Sequence, residues 1–209
     1  MRLLCFGDSN TYGYDPRSFL GDRYSADVRW TEVLARATGW TVFNAGVNGR
    51  EIPHRPYELE QAARLLADCA PLDALAVMLG SNDLLQNASF TAGDAAGRME
   101  IFLRYLLERQ PPEIVLLIAP PPMRPGAWVT EPRLLVESAQ LASAYQALAG
   151  RLGVFFGDAG PLEIELLFDG VHFSEAGHRT FAKGIQTMLE GIGQTGASSP
   201  LLHLRREDV

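Results

Sequence analysis

Cysteine is scarce in this chain: two in 209 residues, Cys5 and Cys69. No Cys-x-x-Cys pair occurs, which leaves a zinc site of that type without support. Both cysteines fall in apolar patterns, so two buried free thiols are expected rather than a disulfide. Basic residues are outnumbered, 18 Lys and Arg against 25 Asp and Glu, for a net charge of -7. With no Lys/Arg cluster, that balance argues against an electrostatic nucleic-acid binder and gives no attraction to an anionic membrane surface. Long apolar runs are missing too, and none approaches the roughly 18 residues of a membrane-spanning helix. The first apolar run, residues 3–6, is too short for the core of a secretion signal, and the cytoplasm is the expected location. No internal repeat is found.

What is present is an alternation. Short apolar runs at residues 3–6, 42–44, 74–79, 114–119 and 154–156 are each bounded by Gly, Pro, Asn or Asp, as buried parallel strands are. Between them lie stripes at helical spacing. Examples are Trp30, Val33, Leu34 and Ala37, then Met99, Phe102, Leu103 and Leu106, and last Phe181, Ile185, Met188 and Leu189 with Ser174 as N-cap. The fold class expected is α/β, a three-layer α/β/α sandwich around a five-stranded parallel sheet. A hydrophobic share of 47% and this length suffice for one sizeable core. The domain is placed at residues 1–192, with residues 193–209 as a flexible or docking tail.

The chemistry-bearing residues gather at predicted strand exits. Gly7-Asp8-Ser9-Asn10 follows the first run, at the sheet edge where parallel α/β proteins place their sites. A neutral serine hydroxyl needs a base and a group that orients the base. Asp169-Gly170-Val171-His172 offers both, three residues apart. Acyl transfer also needs donors for the oxyanion. The candidates are the Ser9 N–H, Gly49 after the second run and the Asn82 amide after the third. Taken singly, Gly49 reads equally as a turn residue and Asn82 as a helix cap. Four loops at one edge, each supplying a part of one mechanism, favour the catalytic reading.

Around these, Tyr12 and Phe173 flank the candidate catalytic residues and either touch substrate or pack. Trp128, in the proline-rich segment 120–132, lines a pocket or covers core. Asn48 and Arg50 are candidates for the alcohol side of a substrate. Asp8 and Asp83 read as loop braces, Asp158 as a rival orienter of the base, and His54, His178 and His203 as surface residues. A rival chemistry, a metal-dependent phosphoesterase, would use Asp8, Asp83, Asp169 and His172 as ligands. A non-catalytic sugar- or ester-binding module is a third reading.

In its blocks Phe6-Gly7-Asp8-Ser9-Asn10, Gly49, Gly80-Ser81-Asn82-Asp83 and Asp169-Gly170-Val171-His172, the chain resembles the SGNH (GDSL-type) esterases and lipases. The resemblance covers residues 3 to about 190. It implies a flavodoxin-like sheet, Ser9 as nucleophile with His172 and Asp169, and an oxyanion hole of Ser9, Gly49 and Asn82. It implies neither cofactor nor metal. Asn10 stands where leucine is commoner, a change that the resemblance treats as tolerated. The segments Asp27-Val28-Arg29-Trp30 and Ala119-Pro120-Pro121-Pro122 are similar to the arylesterase and acyltransferase branch. That branch implies small ester substrates, acyl transfer to alcohols and a homo-oligomer, and carries a longer connection between its second and third blocks than this chain does. Carbohydrate acetylesterase, thioesterase and lysophospholipase activities are the alternatives within the family.

Overall fold

Strands buried on both faces carry apolar residues at every position rather than at alternate ones, and the central strands of this sheet follow that rule. The computed structural model describes residues 1–18, 20 and 22–194. Its strands are β1 (Arg2–Gly7), β2 (Thr41–Gly46), β3 (Ala74–Met78), β4 (Ile114–Ala119) and β5 (Phe155–Asp158). All neighbours pair in parallel, in the order β2-β1-β3-β4-β5. Leu4, Phe6, Leu75, Val77, Val115 and Leu117 face one layer of helices; Leu3, Cys5, Ala76, Met78, Leu116 and Ile118 face the other. The first layer holds α3 (Pro56–Cys69), α5 (Ala92–Leu107) and α6 (Pro132–Leu152), and the second α2 (Trp30–Thr38) and α7 (Glu175–Gln194). Two short helices, α1 (Ser9–Tyr12) and α4 (Ser81–Gln86), start directly after β1 and β3.

Register positions the site. Gly7 lies opposite Gly46 on one side and Met78 on the other, so β1, β2 and β3 end at one level. The chain goes from β1 outward to β2 and then back across β1 to β3. This reversal opens the crevice where such sheets bind ligands.

The five strands and their parallel sense agree with the sequence reading, and the differences are informative. β2 runs to Gly46 rather than Asn44; as an edge strand it is half-exposed along most of its length, so its apolar signal is short. Cys69 is half-buried, unlike the fully buried Cys5. α7 continues through Gln194, past the boundary expected at residue 192, and its first turn is capped as expected, Gly177 N–H donating to Ser174 Oγ at 3.0 Å. The remainder of the expected tail, with His203, lies outside the described residues.

His178 is the plainest correction. It is not on the surface but 0% exposed, packed edge-on against Tyr24 and Phe173 at 5.1 and 5.5 Å. Neither ring nitrogen meets a hydrogen-bond partner among the described residues. Burial drives its pKa down from 6.5 to about 3, outweighing the pull of Glu32. The unfolded chain therefore takes up a proton below about pH 6.5 that the folded chain refuses until about pH 3. Stability contributed by neutral His178 is full above pH 6.5 and is lost as pH falls. Asp8, raised by burial from 3.8 to about 6, works in the opposite sense: its contribution is full below 3.8 and is lost as pH rises through 6. Urea unfolding of wild type and His178→Leu separates the two. Between pH 7 and pH 4 the variant is expected to lose about 3 kcal/mol less than wild type. Equal losses would refute this account.

Candidate functional site

The loop that presents Ser9 is built by Asp8. Its Oδ1 accepts from the Asn10 N–H at 3.0 Å and caps α1, while its carbonyl accepts from the N–H groups of Thr11 and Tyr12 at 3.1 and 2.8 Å. Ser9 thus opens a helix at the exit of β1, with its N–H free of any intrahelical acceptor. Its Oγ–H donates to His172 Nε2 at 2.9 Å, across 163 positions of sequence, and His172 Nδ1–H donates to Asp169 Oδ2 at 2.7 Å. Asp169 Oδ1 accepts from the N–H groups of Val171 and His172, both at 2.9 Å. All three residues are buried. Burial works to raise the Asp169 carboxyl, but the imidazole and the two backbone donors outweigh it and hold the group below the usual carboxylate range. Asp158, the rival orienter, instead accepts from the Gly160 N–H at 2.8 Å.

The proline-rich segment after β4 fixes the Asp169 loop from outside. Arg124, Ala127 and Trp128 donate their N–H groups to the carbonyls of Gly170, Phe168 and Asp169 at 3.0, 3.0 and 3.1 Å. Gly170 has φ +82°, and a Cβ there would sit 2.0 Å from the Arg124 carbonyl oxygen, so only glycine permits this approach. The contact also delivers Trp128. Its ring and that of Tyr14 both stand edge-on to the His172 imidazole, each at 4.9 Å.

Asn10 does more than replace a leucine. Its Nδ2–H donates to the Val171 carbonyl at 3.1 Å and its Oδ1 accepts from the Phe173 N–H at 3.0 Å. One side chain thereby grips the backbone on both sides of His172 and ties it to the residue after Ser9. The sequence carries no signal of this, because both partners lie more than 160 positions away.

A cavity of about 580 Å³ opens over Ser9, Gly49, Asn82 and His172. Tyr14, Leu85 and Trp128 supply apolar and aromatic wall; Asn48 and Gln86 supply amides. Gly49 takes φ +70°, a left-handed turn that glycine adopts freely, and its carbonyl accepts from Gln86 Nε2 at 3.0 Å. Asn82 Nδ2 donates to the Arg50 carbonyl at 3.1 Å, which leaves its second amide hydrogen for a ligand.

The structure thus brings together Ser9, Gly49, Asn82, Asp169 and His172, with Asn48 and Trp128 in the cavity wall. Tyr12 and Phe173 lie elsewhere. Tyr12 stacks under Arg23 at 4.3 Å, and Phe173 is fully buried against Phe181. The tyrosine at the cavity is Tyr14, two positions on from Tyr12 and not singled out by the sequence. Arg50 also turns away from the cavity, with its guanidinium over the Phe6 ring at 4.1 Å. Asp83 is a brace: its carboxylate accepts from the Ile52 N–H and pairs with Arg98 at 3.0 and 2.8 Å. Asp8, Asp83 and Asp169 therefore serve three separate partners. Among the described residues no three His, Cys, Asp or Glu side chains converge as metal ligands would, and no helix is long and apolar enough to cross a membrane.

The GDSL-like Lipase/Acylhydrolase family matches the chain over residues 5–180. The aryl esterase of M. Smegmatis is similar at 30% identity and a TM-score of 0.79, covering 91% of this chain and 98% of its own. Est24, a carbohydrate acetylesterase from Sinorhizobium meliloti, is similar at 27% identity and a TM-score of 0.80, covering 92% and 100%. Among curated proteins no match was found.

Proposed function

The chain belongs to the GDSL-like lipase/acylhydrolase family, and from that premise we propose that it hydrolyses short-chain and aryl carboxylic esters through an acyl-enzyme on Ser9. One observation carries the reading: the unbroken relay from Ser9 Oγ through His172 to Asp169, opening on a cavity flanked by Gly49 and Asn82.

Ser9 Oγ attacks the ester carbonyl while His172 Nε2 takes its proton. Charge moves to the carbonyl oxygen, which the N–H groups of Ser9 and Gly49 and the free Asn82 amide hydrogen receive. Collapse expels the alcohol, protonated by His172. Water, or a second alcohol in a transfer reaction, then attacks the acyl group with His172 again as base, and collapse breaks the Ser9 Oγ–acyl bond as His172 returns that proton to Oγ. Asp169 holds Nδ1–H and stabilises the imidazolium at each stage.

The apolar and aromatic wall of Tyr14, Leu85 and Trp128 supports aryl and short acyl esters. An acetylated sugar is the second reading, favoured by the Asn48 and Gln86 amides beside the cavity and by the likeness to Est24. Two measurements test the proposal. A serine-directed phosphonate should add one equivalent at Ser9, and no adduct would sink it. Aryl esters of rising acyl length should fall steeply in kcat/KM beyond the short chains. A flat or rising profile would overturn the short-chain assignment, and faster turnover of an acetylated sugar would favour the second reading.

A further inference from the structure

Three donors from three loops serve one oxygen only if their spacing is held to a few tenths of an ångström. Ser9 follows β1, Gly49 follows β2 and Asn82 opens out of β3. We infer that Arg50 is the positioning residue of this oxyanion site, locking the three loops into one frame; the inference rests on the esterase reading above.

Arg50 touches every part. It directly follows Gly49, and its own N–H donates to the Val47 carbonyl at 3.2 Å, closing the turn that presents Gly49. Its side chain runs inward, the guanidinium over Phe6. Nη1 donates to the Gly7 carbonyl at 2.9 Å and to the Ala45 carbonyl. Those carbonyls lie near the ends of β1 and β2, and Gly7 immediately precedes Asp8 and Ser9. Its backbone carbonyl accepts one hydrogen of the Asn82 amide at 3.1 Å. That bond fixes the plane of the amide, and so the direction of the second hydrogen. No substrate contact is required of Arg50, and its bonds go to the Asn82 amide itself or to backbone within four residues of Ser9 or Gly49.

The charge matters as well as the shape. Burial lowers the guanidinium to about 10, against the pull of the Asp8 carboxylate, so it stays protonated at neutral pH. Its two bonds to carbonyls are therefore charge-assisted, the stronger kind. A frame of this sort contributes to the transition state, where the oxygen is charged, more than to the neutral bound ester.

The test uses Arg50→Met, which keeps the apolar stem over Phe6 and removes the donors, and Arg50→Lys, which restores a charged donor one bond shorter. Turnover is taken per phosphonate-titrated Ser9, so an unfolded fraction does not enter. Arg50→Met is expected to lose about a hundredfold in kcat, with KM within a few-fold. Its affinity for an alkyl boronic acid, whose tetrahedral Ser9 adduct places an oxygen among the three donors, should fall by a similar factor. Arg50→Lys should recover about tenfold of the lost kcat. A merely structural residue would change yield and melting temperature but leave kcat per titrated site and boronate affinity near wild type, and that result overturns the inference. Should Arg50→Met give no folded protein, Arg50→Lys decides: a kcat about tenfold below wild type at unchanged KM supports the inference, and a wild-type kcat overturns it. An unlabelled wild-type protein would instead sink the esterase reading itself.

Discussion

Ser9→Ala is expected to cut turnover of a short-chain aryl ester by about 10⁴- to 10⁶-fold while leaving the fold in place. The change deletes one atom. Ser9 is the first residue of α1, and among the described residues its hydroxyl makes one side-chain bond, to His172 Nε2. The cap of that helix belongs to Asp8, and alanine is at least as good a helix former as serine. Unfolding free energy should therefore stay within about 1 kcal/mol of wild type. What goes is the covalent path. The Gly49, Asn82 and Ser9 donors are still present, so the residual rate should exceed that of the ester in buffer, with water attacking directly. The measurement is kcat per folded protein, beside a melting curve. Turnover undiminished in a folded Ser9→Ala protein would end the acyl-enzyme proposal.

How far the sequence revealed this site follows from the range of each interaction. β3 and β4 were legible because both of their faces are buried and their composition alone marks them. Ser9, Gly49, Asn82 and the Asp169–His172 pair were legible because each sits within a few residues of a strand end or of its own partner. Asn10, Arg50 and Tyr14 were not, for one shared reason: each acts through groups contributed by other loops. Asn10 meets Val171 and Phe173 more than 160 positions away, and Tyr14 meets the His172 ring only once the first and last loops converge. His178 failed differently. Set among polar and small residues in Glu175-Ala176-Gly177-His178-Arg179, it reads as an outer-face residue, and the rings that cover it come from Phe173 and from Tyr24, on a long excursion between α1 and α2. Local pattern names the candidate reacting groups; the contacts that hold them in register lie where pattern does not reach.

Asp169→Asn separates the orienting carboxylate from its rival and shows why a near-isosteric change is expected to be severe. In wild type Oδ1 accepts from two backbone N–H groups and Oδ2 accepts from His172 Nδ1–H. An asparagine in the same pose must keep its oxygen toward the two backbone donors, because turning the amide round would set its NH₂ against both. Its NH₂ then faces Nδ1, which can meet a donor only by giving up its proton. The imidazole is driven to the tautomer with hydrogen on Nε2, pointing at Ser9 Oγ. In that state His172 cannot accept the serine proton, and no carboxylate remains to stabilise the imidazolium that attack would form. The expected loss is about 10⁴-fold in kcat, with KM little changed, since Asp169 is buried behind His172 and does not line the cavity. Asp158→Asn, whose carboxylate accepts only from the Gly160 N–H among the described residues, should keep kcat within a few-fold. A reversed pattern, with Asp158 essential and Asp169 dispensable, would reassign the orienter. Comparable modest losses in both would mean that His172 is held in its working tautomer by something other than a carboxylate.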